Sequence, residues 1–269
     1  MSNLRTRTRR WARPAFAALL LLGLLPLLLV AVGAAGSKFG WFGWKFGFGL
    51  LTVGWAPKAA FVGLAAGGLA VVLALVAGAR RLWLAAVLAV LAPAAVLAGM
   101  NGLRAQAARV PPVHDVSTDV DDPPMASPAL LRVRGPDANP IEREPRMEVR
   151  KGRPEVENWA DDRVLRISAD ACPGAKPVLL PEAPAEAQAR VEAALSNAGL
   201  RLRPGGELGR LEATATSFAY GFKDDVIARV RPEGRGSRVD LRSISRVGGS
   251  DIGANCARVT KIVATLSGR

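Results

Sequence analysis

Residues 211–242 read LEATATSFAYGFKDDVIARVRPEGRGSRVDLR, and this stretch decides the fold of the C-terminal part of the chain. Small apolar residues alternate with mostly polar ones over three runs, at positions 211–216, 226–231 and 238–242. This is the period of a β-strand with one buried face. Proline and glycine at positions 232–236 are typical of a turn between the second and third runs. The pattern predicts an antiparallel sheet with one apolar face and one arginine-rich face.

Two helix patterns accompany these strands. Residues 185–198 are rich in alanine, with acidic residues early and a glycine directly after them, as in an amphipathic helix. A last helix is predicted to begin after a cap at Ser250 or Asp251. Its apolar stripe consists of Ile252, Cys256, Val259, Val263 and Leu266. We expect both helices to cover the apolar face of the sheet, which makes residues 110–267 an α+β domain, with the proline-rich residues 122–182 wrapped around its core as loops.

The N-terminal part of the chain has a different composition. Residues 1–110 contain twelve Lys or Arg and no Asp or Glu, whereas residues 111–269 hold the other 24 basic residues and all 23 acidic ones, a net of +1. Three uncharged runs, at about residues 15–35, 59–79 and 82–102, are each long enough to cross a bilayer core of about 30 Å. The sequence therefore predicts a three-helix transmembrane region. Because the positive excess belongs to this region, nucleic-acid binding is not expected.

Arginines before the first span decide the predicted orientation. Five of them lie within residues 1–13 and place the N-terminus in the cytoplasm. Three crossings return Arg80 and Arg81, the only residues between the second and third spans, to the cytoplasmic side. The C-terminal domain then lies outside, on the periplasmic side of a bacterial inner membrane.

Two alternatives to this topology stay open. The first span could be a signal peptide cleaved near Ala35, which also leaves the domain outside. The aromatic- and glycine-rich residues 39–48 could form a fourth span, which would move the domain into the cytoplasm. Because Lys45 near the centre of such a span costs about 2.5–3.5 kcal/mol, we expect this stretch to lie in the outer membrane interface instead.

The chain has two cysteines, Cys172 and Cys256. An outside location permits a disulfide between them, and closing so long a loop contributes roughly 4–5 kcal/mol in the chain-entropy model. Cys256 also falls on the apolar stripe of the last helix, where a free thiol behaves as a small hydrophobic group. Both arrangements stay open from the sequence.

Three motifs occur in order along the C-terminal domain. They are VHDVSTDVDDPP at residues 113–124, EATAT followed by GFKDD within residues 212–225, and SRVDLRSISR followed by SDIGAN within residues 237–255. Together they resemble the bacterial family catalogued as domain of unknown function 1499, over roughly residues 110–267. Residues 150–169 read as an insertion relative to that family. Members often carry similar N-terminal spans, and the resemblance implies no activity, because none is established for the family.

His114 is the only histidine, which excludes a metal site built from several histidines. With Asp115 and Asp119 it could form a mixed metal site or an acid–base group. In the second case Ser243 would be a candidate nucleophile of a hydrolase. The alternative is structural, with His114 and Asp115 holding residues 113–119 to the sheet through hydrogen bonds. No metal and no other cofactor is expected.

The arginine-rich face of the sheet is a second candidate for binding. Its basic residues are Arg229, Arg231, Arg238, Arg242 and Arg246. They could hold lipid head groups or another polyanion. They could instead form ion pairs across the strands with Asp240 and Glu212.

Residues 113–119 are too short to bury much surface alone, so we expect them to lean on the sheet. Their carboxylates then need cationic partners, so we expect Asp115 or Asp119 to lie against the strand of Arg238–Arg246 or its flanking turn at Asp225 or Asp251. Coupling is expected between Asp119 and Arg242, and between Asp115 and Arg246. The hypothetical ligand-binding set is His114, Asp115, Asp119, Asp225, Arg242, Ser243, Arg246 and Asp251. The sequence predicts a membrane-anchored envelope protein that contacts membrane lipids and binds a lipid, a glycan, another polyanion or an envelope protein without catalysis. The alternative is a membrane-anchored hydrolase centred on His114.

Overall fold

A computed structural model describes residues 2–77, 82–147, 163–204 and 207–268. The chain divides into two compact units. Met1–Ala105 with Phe218–Gly221 forms the first, and Gln106–Ser217 with Phe222–Arg269 forms the second. The predicted turn at Arg80 and Arg81, and most of the predicted insertion at residues 150–169, lie outside the described residues.

The first unit is helical. Its elements are α1 (Ser2–Lys38), a π-helical segment (Lys45–Trp55), α2 (Ala56–Val76) and α3 (Trp83–Ala107). Within the described residues, three stretches are long and apolar enough to cross a membrane, at Pro14–Lys38, Lys45–Val76 and Trp83–Ala107. From Lys45 onward, the aromatic- and glycine-rich stretch continues directly into α2. It therefore adds no fourth candidate span among the residues that the structure describes.

Glycines allow the helices of the first unit to approach closely. A Cβ atom added to Gly67 of α2 would lie 2.5 Å from the carbonyl oxygen of Ala89 in α3, and one added to Gly23 of α1 would lie 2.7 Å from the Cβ of Ala89. Small residues at such contacts let backbones pack without intervening side chains. The spacing of Gly63 and Gly67 in α2 thus has a packing role.

The second unit contains a six-stranded antiparallel sheet. Its strands are β1 (Asp115–Ser117), β2 (Val178–Leu180), β3 (Arg201–Leu202), β4 (Arg210–Thr216), β5 (Lys223–Glu233) and β6 (Gly236–Ser245). The order is β1-β6-β5-β4-β3, and β2 also pairs with β6, beside β1. The long hairpin of β5 and β6 turns at Gly234 and Arg235, within the predicted turn.

Four helices belong to this unit in the described part of the chain: α4 (Pro128–Arg134), α5 (Val164–Ala171), α6 (Pro184–Asn197) and α7 (Ala254–Leu266). The helices α6 and α7 cover the apolar face of the sheet, as predicted. Buried side chains from both meet those of the central strands, and these include Val191, Leu195, Val226, Leu241, Val259 and Ile262. The α+β fold class predicted from the sequence is therefore confirmed.

The last helix differs in detail from its predicted stripe. Ile252 has a φ of +55° and precedes α7, so it is not part of the helical face. Ile262 lies in the core instead, with Val259 and Leu266. Cys256 is bonded to Cys172, at the end of α5, and their Cα atoms are 5.8 Å apart. The structure thus contains the disulfide, one of the two arrangements that the sequence leaves open.

Candidate functional site

The sheet face opposite α6 and α7 carries charged side chains, and we call it the charged face. It comprises Asp115, Asp225, Arg229, Arg231, Arg238, Asp240, Arg242 and Arg246. Antiparallel register brings these residues together, because positions two apart on a strand and opposite positions on its neighbour share a face. Each of the five arginines predicted here forms at least one ion pair with a carboxylate.

Asp115 of β1 and Arg242 of β6 form a fully buried pair. Arg242 donates from Nε to Oδ1 of Asp115 at 3.0 Å and from Nη2 to Oδ2 at 2.6 Å. Nη2 also donates to the main-chain carbonyl of Glu142 at 2.7 Å. Both side chains are 0% exposed. The two hydrogen bonds to Asp115 and the one to Glu142 replace hydrogen bonds that the Arg242 guanidinium would make to water, because a buried charge needs such partners.

Asp225 of β5 is a second buried carboxylate, and it forms ion pairs with two arginines. Arg246 donates from Nε and Nη2 at 2.9 and 2.8 Å, and Arg134 of α4 donates from Nη1 at 2.5 Å. Thr214 adds a hydroxyl at 2.8 Å. Burial by itself raises the pKa of the Asp225 carboxyl. The hydrogen bonds from Arg246 and Thr214 and the two arginine charges outweigh burial, so its pKa lies below the ordinary value.

The outer end of the charged face is a neutralised network. Asp240, which is wholly buried, accepts from Nε of Arg238 at 2.8 Å and Nη2 of Arg229 at 2.9 Å. Asp119 accepts from Nη2 of Arg238 at 2.9 Å and Nη2 of Arg231 at 3.1 Å. Each of these arginines thus lies between at least two carboxylates. The network makes the charged face a set of internal ion pairs.

Asp115 and Asp119 lie against the strand of Arg238–Arg246, as expected, but the individual pairs differ from the expected couplings. Asp119 contacts Arg231 and Arg238, so its predicted coupling to Arg242 is wrong. Asp115 forms an ion pair with Arg242, and Arg246 forms one with Asp225. The expectation failed because it did not pair Asp225 with an arginine. Asp225, on the strand between β4 and β6, lies closer to Arg246.

Asn255 organises a different polar cluster at the start of α7. It accepts from the hydroxyl of Ser243 at 2.6 Å and donates from Nδ2 to the main-chain carbonyl of His114 at 3.0 Å. Arg258 donates from Nη1 to the Ser243 hydroxyl at 2.9 Å. His114 joins this cluster through its main chain, and the side chain of Ser243 is enclosed in it. The arrangement holds β1 against β6 and α7.

Asp251 stabilises the start of the last helix, although Gly253 and not the predicted Ser250 or Asp251 occupies the N-cap position. Its carboxylate accepts from the N–H groups of Gly253 at 2.7 Å and Asn255 at 2.8 Å. Its own N–H donates to the carbonyl of Val113 at 3.1 Å. Burial raises the pKa of the Asp251 carboxyl above the ordinary 3.8, and the backbone hydrogen bonds offset that effect only in part.

An apolar cleft of about 510 Å³ lies between the start of the domain, the end of α5 and one side of α7. We call it the α7 cleft. It is lined by Val110, Pro111, Val113, Val116, Ser168, Ala171, Cys172, Asp251, Gly253, Cys256, Ala257, Thr260, Lys261 and Ala264. Its volume falls within the range of about 300–1,000 Å³ typical of ligand pockets.

A second cavity, of about 240 Å³, is smaller and charged. Arg132, Arg203 and Arg210 line it together with Glu207 and Glu212. Neither His114 nor Ser243 lines either of these two cavities. Within the described ranges, no group of three or more His, Cys, Asp or Glu side chains is arranged to hold a metal ion.

Sequence reasoning found the charged residues but missed the cleft. Of the eight predicted site residues, only Asp251 lines it. Arg134, which neutralises Asp225, also escaped notice because it lies in the proline-rich stretch. The spacing of Ala257, Lys261 and Ala264 offered a signal, since these residues share one face of α7 and leave space beside it.

The fold is a small α+β domain after a group of apolar helices, with an internally paired charged face and an open apolar cleft. Residues 115–266 match the family model described as "Protein of unknown function (DUF1499)". This match covers more than half of the chain, and the protein belongs to that family, as its three motifs suggested. No curated protein and no solved structure matches the chain.

Proposed function

We propose that this protein is a membrane-anchored envelope protein whose outer domain binds a lipid, a glycan or a protein without catalysis. One observation carries the proposal. The carboxylates, arginines and serine of the predicted site are engaged through their side chains in internal ion pairs and hydrogen bonds, whereas the α7 cleft is open. A concave, mostly apolar pocket with few polar groups is the usual form of a binding site.

The location is part of the same proposal. Arginines before the first apolar helix and an odd number of candidate spans favour an outer domain. The disulfide between Cys172 and Cys256 supports it independently, because disulfides persist in oxidising compartments such as the bacterial periplasm.

The hydrolase alternative has less support. A serine nucleophile needs a base within reach and access to substrate. The hydroxyl of Ser243 is instead hydrogen-bonded to Asn255 and Arg258, and His114 contributes a main-chain carbonyl to that cluster. We therefore propose no catalytic residue.

Reporter fusions test the topology. Alkaline phosphatase joined after Arg269 is expected to be active in a bacterial host, because the enzyme folds only outside the cytoplasm. A green fluorescent protein joined at the same position is expected to be dark. An inactive phosphatase with a bright fluorescent fusion would show that the domain faces the cytoplasm.

Site-specific photocrosslinking tests the binding role. A diazirine-bearing lysine analogue at position 261, on the rim of the α7 cleft, is irradiated in native membranes of the full-length protein. The matched control carries the same analogue at Arg235, in the exposed turn between β5 and β6. We expect adducts at position 261 that are absent at position 235, and their mass identifies lipid, glycan or protein. Equal labelling at both positions, or none at 261, would count against binding in the cleft.

A further inference from the structure

We propose that the α7 cleft binds a single-chain anionic lipid, with the acyl chain inside the cleft and the anionic head group at Lys261. This inference rests on the proposed binding role and names the class of ligand. It follows from the chemistry of the cleft wall, from an unpaired charge on its rim and from the place of the cleft in the chain.

The wall presents little that can form hydrogen bonds with a ligand. Most of its residues are apolar, and Ser168, Thr260 and Asp251 direct their polar groups toward the protein. The hydroxyl of Ser168 bonds the carbonyl of Val164 at 2.7 Å, and that of Thr260 lies 3.5 Å from the sulfur of Cys172. The Asp251 carboxylate is occupied by two N–H groups of the helix start. An alkyl chain loses no hydrogen bonds on such a wall, whereas a sugar would.

Alanine and glycine leave the space in which a chain would lie. Ala257 and Ala264 stand on the cleft side of α7, and Gly253 precedes that helix. Across from them is Ala171 at the end of α5, where the disulfide joins the two sides. Burying an alkyl chain here would remove apolar surface of both partners from water, at about 25 cal/mol per Å².

Lys261 supplies charge complementarity in the lining of the cleft. Its side chain is exposed, and its ammonium group forms no ion pair with the described residues. This contrasts with the charged face, where every arginine has a carboxylate. Asp251 precedes the first turn of α7, and its carboxylate accepts a hydrogen bond from the N–H group of Asn255 in that turn. The charges therefore orient an amphiphile with its anionic head toward Lys261.

The place of the cleft in the chain favours a lipid as the occupant. Val110, the first lining residue, follows the end of α3 by three residues, and α3 is long and apolar enough to cross a membrane. The family match begins at residue 115, so the lining contains residues both before and within the matched segment. A single-chain lipid is thus the ligand class that we assign.

Photolabelling with a defined probe tests this assignment. The full chain is reconstituted in phosphatidylcholine vesicles and irradiated with hexadecanoic acid that carries a diazirine, or with the matching hexadecanol. We expect the acid to label residues 110–116 and 253–264, as mapped by peptide mass spectrometry. Unlabelled hexadecanoic acid should compete. The alcohol should label the same peptides more weakly, by about fivefold, because it lacks the charge that meets Lys261.

Two variants and two matched controls sharpen the result. Lys261→Glu should reduce labelling by the acid about fivefold without reducing that by the alcohol. Ala257→Trp should fill the cleft and abolish labelling by both the acid and the alcohol. Arg235→Glu and Ala193→Trp, at exposed positions on the hairpin turn and α6, should change neither. Oxidation of the two cysteines serves as the check that each variant folds.

The outcomes separate this inference from the proposed function. Labelling of the unaltered protein confined to residues 14–107 would overturn the proposed acyl site. Equal labelling by the acid and the alcohol, unchanged in Lys261→Glu, would overturn the proposed role of Lys261 in binding the anionic head group. In either case, an adduct at position 261 in native membranes would still support a binding role with another ligand. Absence of that adduct would remove the proposed function itself.

Discussion

Arg242 and Asp115 lie on neighbouring strands, form a two-point ion pair with Nη2 and Oδ2 2.6 Å apart, and are both completely buried. Desolvation of the two ions offsets much of their attraction, so such a pair is weak evidence for stability. Removing one partner, however, leaves the other charge buried and unpaired. The pair therefore specifies how β1 is placed on β6.

Arg242→Met and Asp115→Leu should each lower the free energy of unfolding by about 3–5 kcal/mol. The double variant Asp115→Leu/Arg242→Met should recover a large part of the loss, because no unpaired charge is left. Urea titrations of the full chain in detergent, followed by pulse proteolysis of the domain, measure these values. Asp119→Asn combined with Arg242→Met provides the control and should be additive to within about 0.5 kcal/mol. Additivity of the Asp115 and Arg242 changes would contradict the pairing.

Asp225 makes the stability of the domain depend on pH in the acid range. Its pKa in the folded protein lies below the ordinary 3.8. The stability it contributes is therefore present above the ordinary value and is lost as the pH falls through the lower folded value. Asp225→Asn should be less stable at neutral pH and should lose less further stability between about pH 5 and pH 2 than the unaltered protein.

Unfolding free energies measured against pH test this dependence, and Asp137→Asn at an exposed position is the matched control. Its acid profile should follow that of the unaltered protein. Parallel profiles for Asp225→Asn and the unaltered chain would show that the ion pairs of Asp225 do not set the acid limit.

The sheet could be predicted from the sequence because its determinant is local. Alternation over residues 211–216, 226–231 and 238–242 decides which side chains face α6 and α7, and the observed register follows it. The pairing of charges could not be predicted in the same way. Arg134 reaches Asp225 from a helix that begins at Pro128, and no periodicity in the sequence indicates that approach.

The α7 cleft was not predictable for a related reason. Its wall combines residues 110–116, the end of α5 and α7, which are far apart in the chain. Each segment alone reads as an ordinary connector or an ordinary helix. Only the disulfide between Cys172 and Cys256 links two of them, and the sequence left that bond open.

The disulfide should be necessary for full stability of the domain. Cys172→Ala/Cys256→Ala should lower the free energy of unfolding by roughly 4–5 kcal/mol in the chain-entropy model, since the bridge closes a loop with a sequence separation of 84 residues. In the unaltered full chain, a maleimide reagent should label the cysteines only after denaturation with a reductant. Labelling without reductant would mean that the bridge is absent in the native protein.

Close packing in the first unit gives the last prediction. Gly67 of α2 faces Ala89 of α3, and a Cβ at Gly67 would lie 2.5 Å from the Ala89 carbonyl oxygen, whereas one at Gly68 would meet nothing within 4 Å. Gly67→Val must therefore push the two helices apart, which should cost about 1–3 kcal/mol as overpacking does. Gly68→Val makes the same chemical change at the next position and should be tolerated. Thermal aggregation of the purified full chain in detergent compares the two. Equal midpoints for both variants would show that the backbone contact between α2 and α3 is not formed.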